Sequence, residues 1–444
     1  MILPEYLLIP SVLGLILISG WASTSKMRTL FLSVLFLSFC STFLAGSYLN
    51  ELFVIDGFVK LCQGLMIGVT FWIYITDQSD IAQSEMILLL LALLGASLLI
   101  MATSWIGFFV GLELMALPTY ALCCLDKEAA SSEAALKYFV MGVIASIFIL
   151  YGISFIYIVT GSLQYVDMLA LNTSAGLYSQ IGAVLLFSGL FFKLGLAPFH
   201  HWVPDVYQGV RVRVVYWISI VPKLAVMGAL VRILAMTNLQ ELLVVKQMLL
   251  LVGGLSIAYG VLMAIRQQHI RRLIAYASIM HMGVAILPLV INDLSSAFIY
   301  LSGYLLITLV AFYIITNLSS RGVESVDALT GYAKQYPYES FAFLLCMAAM
   351  AGIPPLVGFM IKLNVFYVLL SSGYILTTLW AILFIAISAY YYIKVIQKMY
   401  FHTKGEVVLE RQYKPLVLSL ILLGVGIMPQ PFIMSLSKVI GGIV

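Results

Sequence analysis

Residues 84–102 read SEMILLLLALLGASLLIMA, a stretch of nineteen residues with a single charged side chain, Glu85. A helix of this length spans roughly 30 Å, the thickness of the hydrocarbon layer of a bilayer. Similar runs recur along all 444 residues, of which 63% are hydrophobic and 9% charged. Soluble domains carry about 25% charged residues and their cores stop growing at about 250–300 residues, so the apolar surface must face lipid.

Fourteen such runs predict an all-α polytopic membrane protein. Their length excludes a transmembrane barrel, whose strands show about ten residues of alternating polarity. The first run carries Glu5 instead of a basic segment, which favours a retained helix over a signal peptide. The predicted spans are 4–22, 28–48, 57–76, 84–102, 104–124, 133–160, 177–198, 213–237, 242–264, 270–291, 295–318, 338–368, 374–400 and 413–436.

Basic residues indicate the orientation of these spans, because they stay on the cytoplasmic side of a membrane. If both termini lie outside, only Lys60, Lys246 and Lys438 fall on the outer side. The asymmetry therefore predicts fourteen spans with both termini outside. The inner loops then hold Lys26, Arg28, Lys127, Arg211, Arg213, Arg266, Arg271, Arg272, Arg321, Lys334, Lys394, Lys398, Lys404, Arg411 and Lys414.

Five basic residues remain inside the spans: Lys137, Lys193, Lys223, Arg232 and Lys362. An ionisable group at mid-membrane costs about 2.5–3.5 kcal/mol, so such residues are expected to line a polar path or to pair with one another. These five residues and the acidic Glu113 of span 5 are therefore the candidate functional residues.

Lys193, Lys223 and Lys362 lie beside helix breakers. Proline removes a backbone donor, and the carbonyl it frees is tolerated at membrane depth only where protein or water satisfies it. Breaks beside charges are typical of discontinuous transporter helices, whose exposed ends surround an ion site. The breakers, in the order of the three lysines, are Gly195 and Pro198, Pro222, and Pro354, Pro355 and Gly358.

Each charge also has a purely structural interpretation. Lys137 lies four residues after Glu133, so an ion pair within one helix explains it. Arg232 lies near the outer end of its span and can extend to the interface. The three lysines beside helix breakers and Glu113 are too central for that, so their structural alternative is a set of static pairs that fix helix packing.

His281 lies mid-span between Met280 and Met282. It is either a hydrogen-bonded packing residue or a proton relay that works near neutral pH. The sequence contains no G-x-G-x-x-G after a strand, no Walker A motif, no strand pattern and no Cys/His spacing typical of a metal site. We therefore expect no metal, redox cofactor, nucleotide or nucleic acid to bind to this chain.

Six motifs of the sequence resemble the antiporter-like membrane subunits of proton-translocating NADH–quinone oxidoreductase, respiratory complex I. The resemblance covers nearly the whole chain, and the second motif favours the chain N family among these subunits. The motifs are GLELMALPTY at 111–120, EAALKY at 133–138, FKLGLAPFH at 192–200, WVPDVYQG at 202–209, AYASIMH at 275–281 and AGIPPLVGFMIK at 351–362.

The resemblance implies a domain organisation. An N-terminal segment of three helices, 1–83, precedes a first repeat of five helices, 84–237. A second, inverted repeat occupies 238–400, and 401–444 forms the last helix. The resemblance also implies that spans 7 and 12 are broken, in agreement with the prolines described above.

The resemblance further implies a proton relay, in which Glu113 modulates Lys193 and Lys137 matches a family lysine. Two opposite charges about 5 Å apart attract by about 3 kcal/mol at an effective dielectric constant near 20. An intact pair therefore holds the proton on the lysine, and opening the pair releases it towards Lys223. Moving one charge against 100 mV costs about 2.3 kcal/mol, so this attraction is large enough to drive one proton against such a potential.

Lys223 would link the two half-channels, His281 would continue the relay and Lys362 would end it. The energy would come from redox chemistry in partner subunits, because this chain has no redox centre of its own in the implied complex. Those membrane and peripheral subunits would hold the flavin, the iron–sulfur clusters and the quinone. The implied location is the bacterial cytoplasmic membrane, with both termini on the periplasmic side.

One segment departs from the family pattern. Residues 210–214, VRVRV, replace a Pro-Thr-Pro turn, which puts the start of span 8 in doubt. Two other classes of function also stay open. A subunit of a multi-subunit sodium/proton antiporter would share the fold and the lysines, and a structural membrane scaffold would contain static buried pairs.

Overall fold

The computed structural model describes residues 4–19, 23–44, 46, 48–50, 52–77, 79–126, 128–170, 176–401 and 414–443. Lys127, Lys404 and Arg411, three of the basic residues that indicated the orientation, lie outside these residues.

The described residues form eighteen α-helices, which confirms the all-α prediction. Several of them end where a glycine or proline interrupts an apolar run, as at Gly352. The helices are α1 Pro4–Ile18, α2 Thr24–Leu44, α3 Gly57–Thr76, α4 Gln83–Met101, α5 Trp105–Cys123, α6 Ala129–Thr160, α7 Leu177–Leu194, α8 Trp202–Gly209, α9 Val212–Met236, α10 Leu243–Ile265, α11 Ile270–Ile286, α12 Leu294–Ser320, α13 Tyr332–Gln335, α14 Pro337–Ala351, α15 Val357–Ser371, α16 Ile375–Phe401, α17 Lys414–Ile427 and α18 Pro429–Ile440.

A short hairpin departs from the expectation of no strands. Strand β1, Tyr48–Leu49, pairs antiparallel with β2, Val54–Ile55. The Asn50 side chain holds the turn, because its Oδ1 accepts hydrogen bonds from the backbone N–H groups of Leu52 at 3.0 Å and Phe53 at 2.6 Å. Two-residue strands leave no alternating pattern in the sequence, so the hairpin was missed.

Eleven helices of the described chain are long and apolar enough to cross a membrane, and a twelfth span results if α17 and α18 count as one. Those two helices are bent by 80°. The sequence predicted one continuous span over 413–436, but Pro429 starts α18 and cannot donate to the preceding turn. Fourteen spans require in addition that α1 and the pair α14 and α15 each count as one, so the number stays a prediction.

Large apolar side chains cover the outside of the longest helices. In α6 the exposed fraction is 63% for Leu136 and 60% for Tyr151, and in α16 it reaches 84% for Leu376. Water would make such surfaces unstable, whereas lipid tails and apolar faces of partner subunits accommodate them.

The chain divides into two compact units. The first consists of residues 1–194, 209–245 and 439–444, and it contains α1–α7 and α9. The second consists of residues 195–208 and 246–438, and it contains α8 and α11–α17. Glu113, Lys137, Lys193 and Lys223 belong to the first unit, while His281 and Lys362 belong to the second.

Two of the three predicted helix breaks are present, whereas α9 continues through Pro222 beside Lys223. Helix α7 ends at Leu194, and Gly195 has a φ of 72°, a left-handed conformation that favours glycine. Helix α14 ends at Ala351, where Gly352 with a φ of 89° caps it by donating to the carbonyls of Ala348 and Ala349 at 3.0 Å. The breaks place Lys193 in the last turn before a gap and Lys362 in the helix that follows a gap.

Candidate functional site

The Lys193 ammonium lies in a polar cluster formed by α5, α6 and α7. Its Nζ donates hydrogen bonds to Tyr120 Oη at 3.0 Å and to Ser146 Oγ at 3.3 Å. Glu113 Oε1 lies 3.9 Å from the same Nζ. Ser146 Oγ donates to Glu113 Oε1 at 2.5 Å, so the serine hydroxyl joins the two charges. Tyr120 follows Glu113 by seven residues and therefore lies on the same face of α5.

The two charges of this cluster differ in their exposure. The side chain of Lys193 is 5% exposed and that of Glu113 is 24% exposed. At 3.9 Å and an effective dielectric constant near 20, their attraction is about 4 kcal/mol. The predicted pairing of Glu113 with Lys193 is therefore present, and its two charges lie closer together than expected.

Lys223 lies at the centre of α9, a helix that is buried throughout its membrane-spanning window. The preceding Pro222 has no N–H, so the hydrogen bond from position 222 to the carbonyl of Ile218 is missing. Ser219 lies one turn before Lys223 and is also buried. The lysine thus occupies the weak point of an otherwise regular buried helix.

Lys362 binds the broken end of α14. Its Nζ donates to the backbone carbonyl of Met350 at 2.5 Å. In a continuous helix this carbonyl would accept from the N–H of residue 354, but Pro354 has none. The lysine therefore takes over a carbonyl that the proline leaves without its helical partner.

His281 is surrounded by tyrosines. Its Nδ1 lies 2.8 Å from Tyr300 Oη, its Nε2 lies 3.2 Å from Tyr392 Oη, and its ring stacks on that of Tyr304 with centroids 4.6 Å apart. Because both ring nitrogens have hydroxyl partners, the imidazole is held firmly and is also in contact with groups that exchange protons. The same contacts therefore fit both interpretations of His281, as a hydrogen-bonded packing residue and as a proton relay.

Lys137 forms an ion pair with Glu133 at 2.7 Å, as its structural interpretation predicted. Both side chains are exposed, by 47% for Lys137 and 68% for Glu133. The prediction that Arg232 extends to the interface is wrong. Arg232 is fully buried and its Nη2 pairs with Asp56 Oδ2 at 2.8 Å, because the polar start of α3 lies within reach.

Sequence reasoning missed a buried ion cluster at the start of α9. Arg213 was counted among inner-loop residues, but it is 3% exposed and clamps Glu85 through its Nε and Nη2, both at 2.8 Å. Its Nη1 lies 2.9 Å from Asp77 Oδ2. Arg211 pairs with Asp126, and its own Nη1 lies 3.5 Å from Glu85. These contacts account for the two arginines that replace the family's proline-rich turn.

Asp77 lies at the end of α3, outside the helix. The pKa of its carboxyl is lowered: burial alone would raise it, but hydrogen bonds from Ser79 and the charge of Arg213 outweigh that effect. The carboxylate therefore stays ionised and keeps its pair with Arg213.

In the described residues, no group of three His, Cys, Asp or Glu side chains is close enough to hold a metal.

These contacts bring two of the six predicted relay residues together, Glu113 and Lys193. The other four each have surroundings of their own. Ser146, Tyr120 and the tyrosines around His281 are additional proton-exchanging groups, and little in the sequence pattern indicated them. Only Tyr120 was marked, as the last residue of the motif at 111–120.

Comparison with known proteins identifies the family. The family described as NADH:quinone oxidoreductase/Mrp antiporter, transmembrane, matches residues 102–388. NADH-quinone oxidoreductase subunit N of Herminiimonas arsenicoxydans is 34% identical over 481 aligned positions, covering 99% of this chain and 97% of the relative. Subunit N of Thiobacillus denitrificans is 36% identical over 369 residues, covering 80% of this chain and 76% of the relative.

Solved structures agree with this result. A chain of respiratory complex I from Thermus thermophilus with bound aureothin matches with a TM-score of 0.86 and 28% identity, over 98% of this chain and 99% of that one. A chain of the Mrp complex from Dietzia shares the fold, with a TM-score of 0.87 at 19% identity over 100% of this chain and 98% of that one. The chain therefore belongs to the NADH:quinone oxidoreductase/Mrp antiporter membrane family, and within it to the group of NADH-quinone oxidoreductase subunits N.

Proposed function

We propose that this chain is the proton-translocating membrane subunit of a NADH–quinone oxidoreductase. The observation that carries the proposal is the buried Lys193 ammonium, which lies 3.9 Å from Glu113 and is joined to it by Ser146. It occurs in a chain whose relatives at 34–36% identity are subunits N of that enzyme.

The proposed relay begins when the Glu113–Lys193 pair opens. While the pair is closed, the carboxylate holds the proton on the lysine by an attraction of about 4 kcal/mol. That attraction is of the same order as the cost of moving one charge against about 170 mV, at 2.3 kcal/mol per 100 mV. Once the pair opens, the buried ammonium loses its counter-charge and gives up the proton. The hydroxyls of Ser146 and Tyr120 are the exchanging groups in contact with it.

Lys223, His281 and Lys362 would continue the relay, as the family resemblance implies. Each has a feature suited to that role. Lys223 lies in a helix weakened by a proline, His281 contacts two tyrosine hydroxyls, and Lys362 donates to a backbone carbonyl at a helix break. Lys137 would take part at the exposed surface of α6, where its pair with Glu133 can open towards a partner subunit.

Partner subunits would supply the driving force. In this proposal they hold the flavin, the iron–sulfur clusters and the quinone, and their redox chemistry opens the Glu113–Lys193 pair. The chain itself carries out no electron transfer and binds no cofactor. It lies in the bacterial cytoplasmic membrane with both termini on the periplasmic side, and its two five-helix repeats, 84–237 and 238–400, are inverted copies of one another.

The test measures protons moved per NADH oxidised in the assembled complex reconstituted in vesicles. We expect Lys193→Ala and Glu113→Gln to lower this yield, while Lys438→Ala, which removes an exposed lysine of α18, leaves it unchanged. If Lys193→Ala retains the full proton yield in a complex that assembles normally, the proposal is wrong.

A second candidate function is sodium/proton antiport, because the family description covers Mrp antiporters and the fold matches an Mrp chain. Sodium-dependent proton movement in the absence of NADH would favour it.

A third candidate is a purely structural scaffold, which leads to a different prediction. Variants without the buried charges would then assemble poorly but pump normally once assembled.

A further inference from the structure

Helices α3 and α9 are joined at both ends by arginine–aspartate pairs. At one end, Arg232 Nη2 lies 2.8 Å from Asp56 Oδ2, just before α3 begins. At the other end, Arg213 Nη1 lies 2.9 Å from Asp77 Oδ2, just after α3 ends. The two helices therefore run antiparallel, and each end of one is tied to an end of the other.

Each of these two arginine–aspartate pairs is a tie between α3 and α9, and in each tie the arginine makes further contacts. Arg232 Nε also donates to the backbone carbonyl of Ile100 at 2.8 Å, which fixes the same guanidinium to the end of α4. Arg213 forms a two-point clamp on Glu85, a carboxylate that is 0% exposed. A planar guanidinium held at two or three points has a single orientation, unlike a lysine ammonium.

The lengths of the two helices match between the ties. Nineteen residues separate Arg213 from Arg232, or roughly 28 Å of helix, and twenty-one separate Asp56 from Asp77, or roughly 31 Å. Both distances are close to the thickness of the hydrocarbon layer. Burying four charges is costly unless each is paired, so pairs at matched positions hold α9 in one register against α3.

Lys223 lies at the middle of the tied segment, ten residues after Arg213 and nine before Arg232. Pro222 opens the hydrogen-bond ladder of α9 at this point and nowhere else within the helix. Before this point, α9 has a further link to α3, because Trp217 Nε1 donates to Thr70 Oγ1 at 2.9 Å. A helix with fixed ends and an open centre bends at its centre.

We propose that Arg213 and Arg232 are positioning residues for Lys223. They fix the ends of α9, so the lysine ammonium moves by bending at Pro222 and by side-chain rotation, and not by a shift of the whole helix. The inference rests on the proposed function, because it assigns these arginines to the proton relay. It also explains why arginines occupy the segment 210–214, where a rigid turn would be expected.

The first test is hydrogen–deuterium exchange of the unmodified chain in the assembled complex, followed by mass spectrometry of peptides from α9. Helices ordinarily open at their ends, where backbone amides exchange fastest. The ties predict the reverse, with exchange around Pro222 at least as fast as at residues 212–217 and 228–236. Ends that exchange about tenfold faster than the centre would overturn the inference.

The second test removes one tie. In Arg232→Leu we expect exchange in the C-terminal half of α9 to rise by about tenfold and the proton yield per NADH to fall by about half, while NADH oxidation continues. The exchanged pair Arg232→Asp with Asp56→Arg should restore both measurements. Arg28→Leu is the matched control, because the two hydrogen bonds of Arg28 to the end of α3, to the carbonyls of Tyr74 and Asp77, do not involve α9.

Lys223→Ala separates failure of this inference from failure of the proposed function. If Lys223→Ala pumps normally, the relay itself is wrong. If it abolishes pumping while Arg232→Leu changes neither the exchange of α9 nor the proton yield, the relay stands and the positioning role is wrong. Should Arg232→Leu fail to assemble, the exchange profile of the unmodified chain still decides.

Discussion

The hydroxyl of Ser146 lies between the two charges of the Lys193 cluster. It accepts a hydrogen bond from the lysine at 3.3 Å and donates one to Glu113 at 2.5 Å. A hydroxyl that accepts on one side and donates on the other can pass a proton by exchanging these two roles. The serine is therefore expected to affect the rate of transfer, although it carries no charge.

We predict that Ser146→Ala slows proton pumping by about tenfold, because losing a hydrogen bond to a charged group costs about 1.5–3 kcal/mol. NADH oxidation should continue although proton pumping is slowed. The rate of proton pumping and the rate of NADH oxidation are measured in the same vesicles and compared. Ser154→Ala is the control: Ser154 lies on the same helix, but it is exposed and bonds only to the carbonyl of Leu150 in the described contacts. Equal pumping in both variants would contradict a role for Ser146.

The sequence identified the charged members of the site but not their neutral partners. Charges such as Glu113 and Lys193 stand out in apolar spans because burying them is costly. Ser146 carries no such penalty, and serine is common in membrane helices. Its contact with Lys193 depends on how α6 packs between α5 and α7, which no local pattern records. The burial of Arg232 was missed for the same reason, because its partner Asp56 lies far away in the sequence, just before α3.

At the scale of helices, the break between α14 and α15 creates the binding partner of Lys362. The carbonyl of Met350 is available because position 354 is a proline, and the lysine ammonium donates to it at 2.5 Å. An N–H at position 354 would compete for the same carbonyl, while Gly352 would still end α14. The break is thus expected to provide a hydrogen-bond acceptor for Lys362 and not only to bend the span.

We predict that Pro354→Ala lowers the proton yield, while the complex assembles and remains at least as stable. The Met350 carbonyl would then accept from the backbone, and Lys362 would lose this partner. The measurements are proton yield per NADH and thermal stability of the complex. Pro337→Ala provides the comparison, because Pro337 starts α14, where a missing N–H costs little. An unchanged yield in Pro354→Ala would show that the break has no role in transfer.

Sequence patterns located the helices well and their irregular ends less well. Long apolar runs fix the spans, and the prolines beside Lys193 and Lys362 fixed the two breaks. The 80° bend between α17 and α18 was missed, because a proline near the end of an apolar run fits both a continuous and a broken helix. The hairpin at β1 and β2 was missed because strands of two residues have no periodicity.

At the scale of the whole molecule, the distribution of basic residues predicts which side of the membrane each loop faces. This orientation depends on a count over many loops, and it is independent of the contacts within the site. One native side chain is suited to test it. Cys124 is exposed at the end of α5, at the inner end of the predicted span 104–124, while Cys62, Cys123 and Cys346 are buried.

We predict that a membrane-impermeant maleimide modifies Cys124 in inside-out membrane vesicles and leaves it unmodified in right-side-out vesicles. Cys124→Ser, which should abolish the labelling, identifies the site, and mass spectrometry of the labelled peptide locates it. Lys438→Cys in the Cys124→Ser background should give the opposite result, because Lys438 lies on the predicted outer side and is exposed. Labelling of Cys124 from the outside would invert the orientation. The Glu113–Lys193 pair would keep its geometry, but protons entering the relay from the cytoplasm would have to approach it from the opposite end.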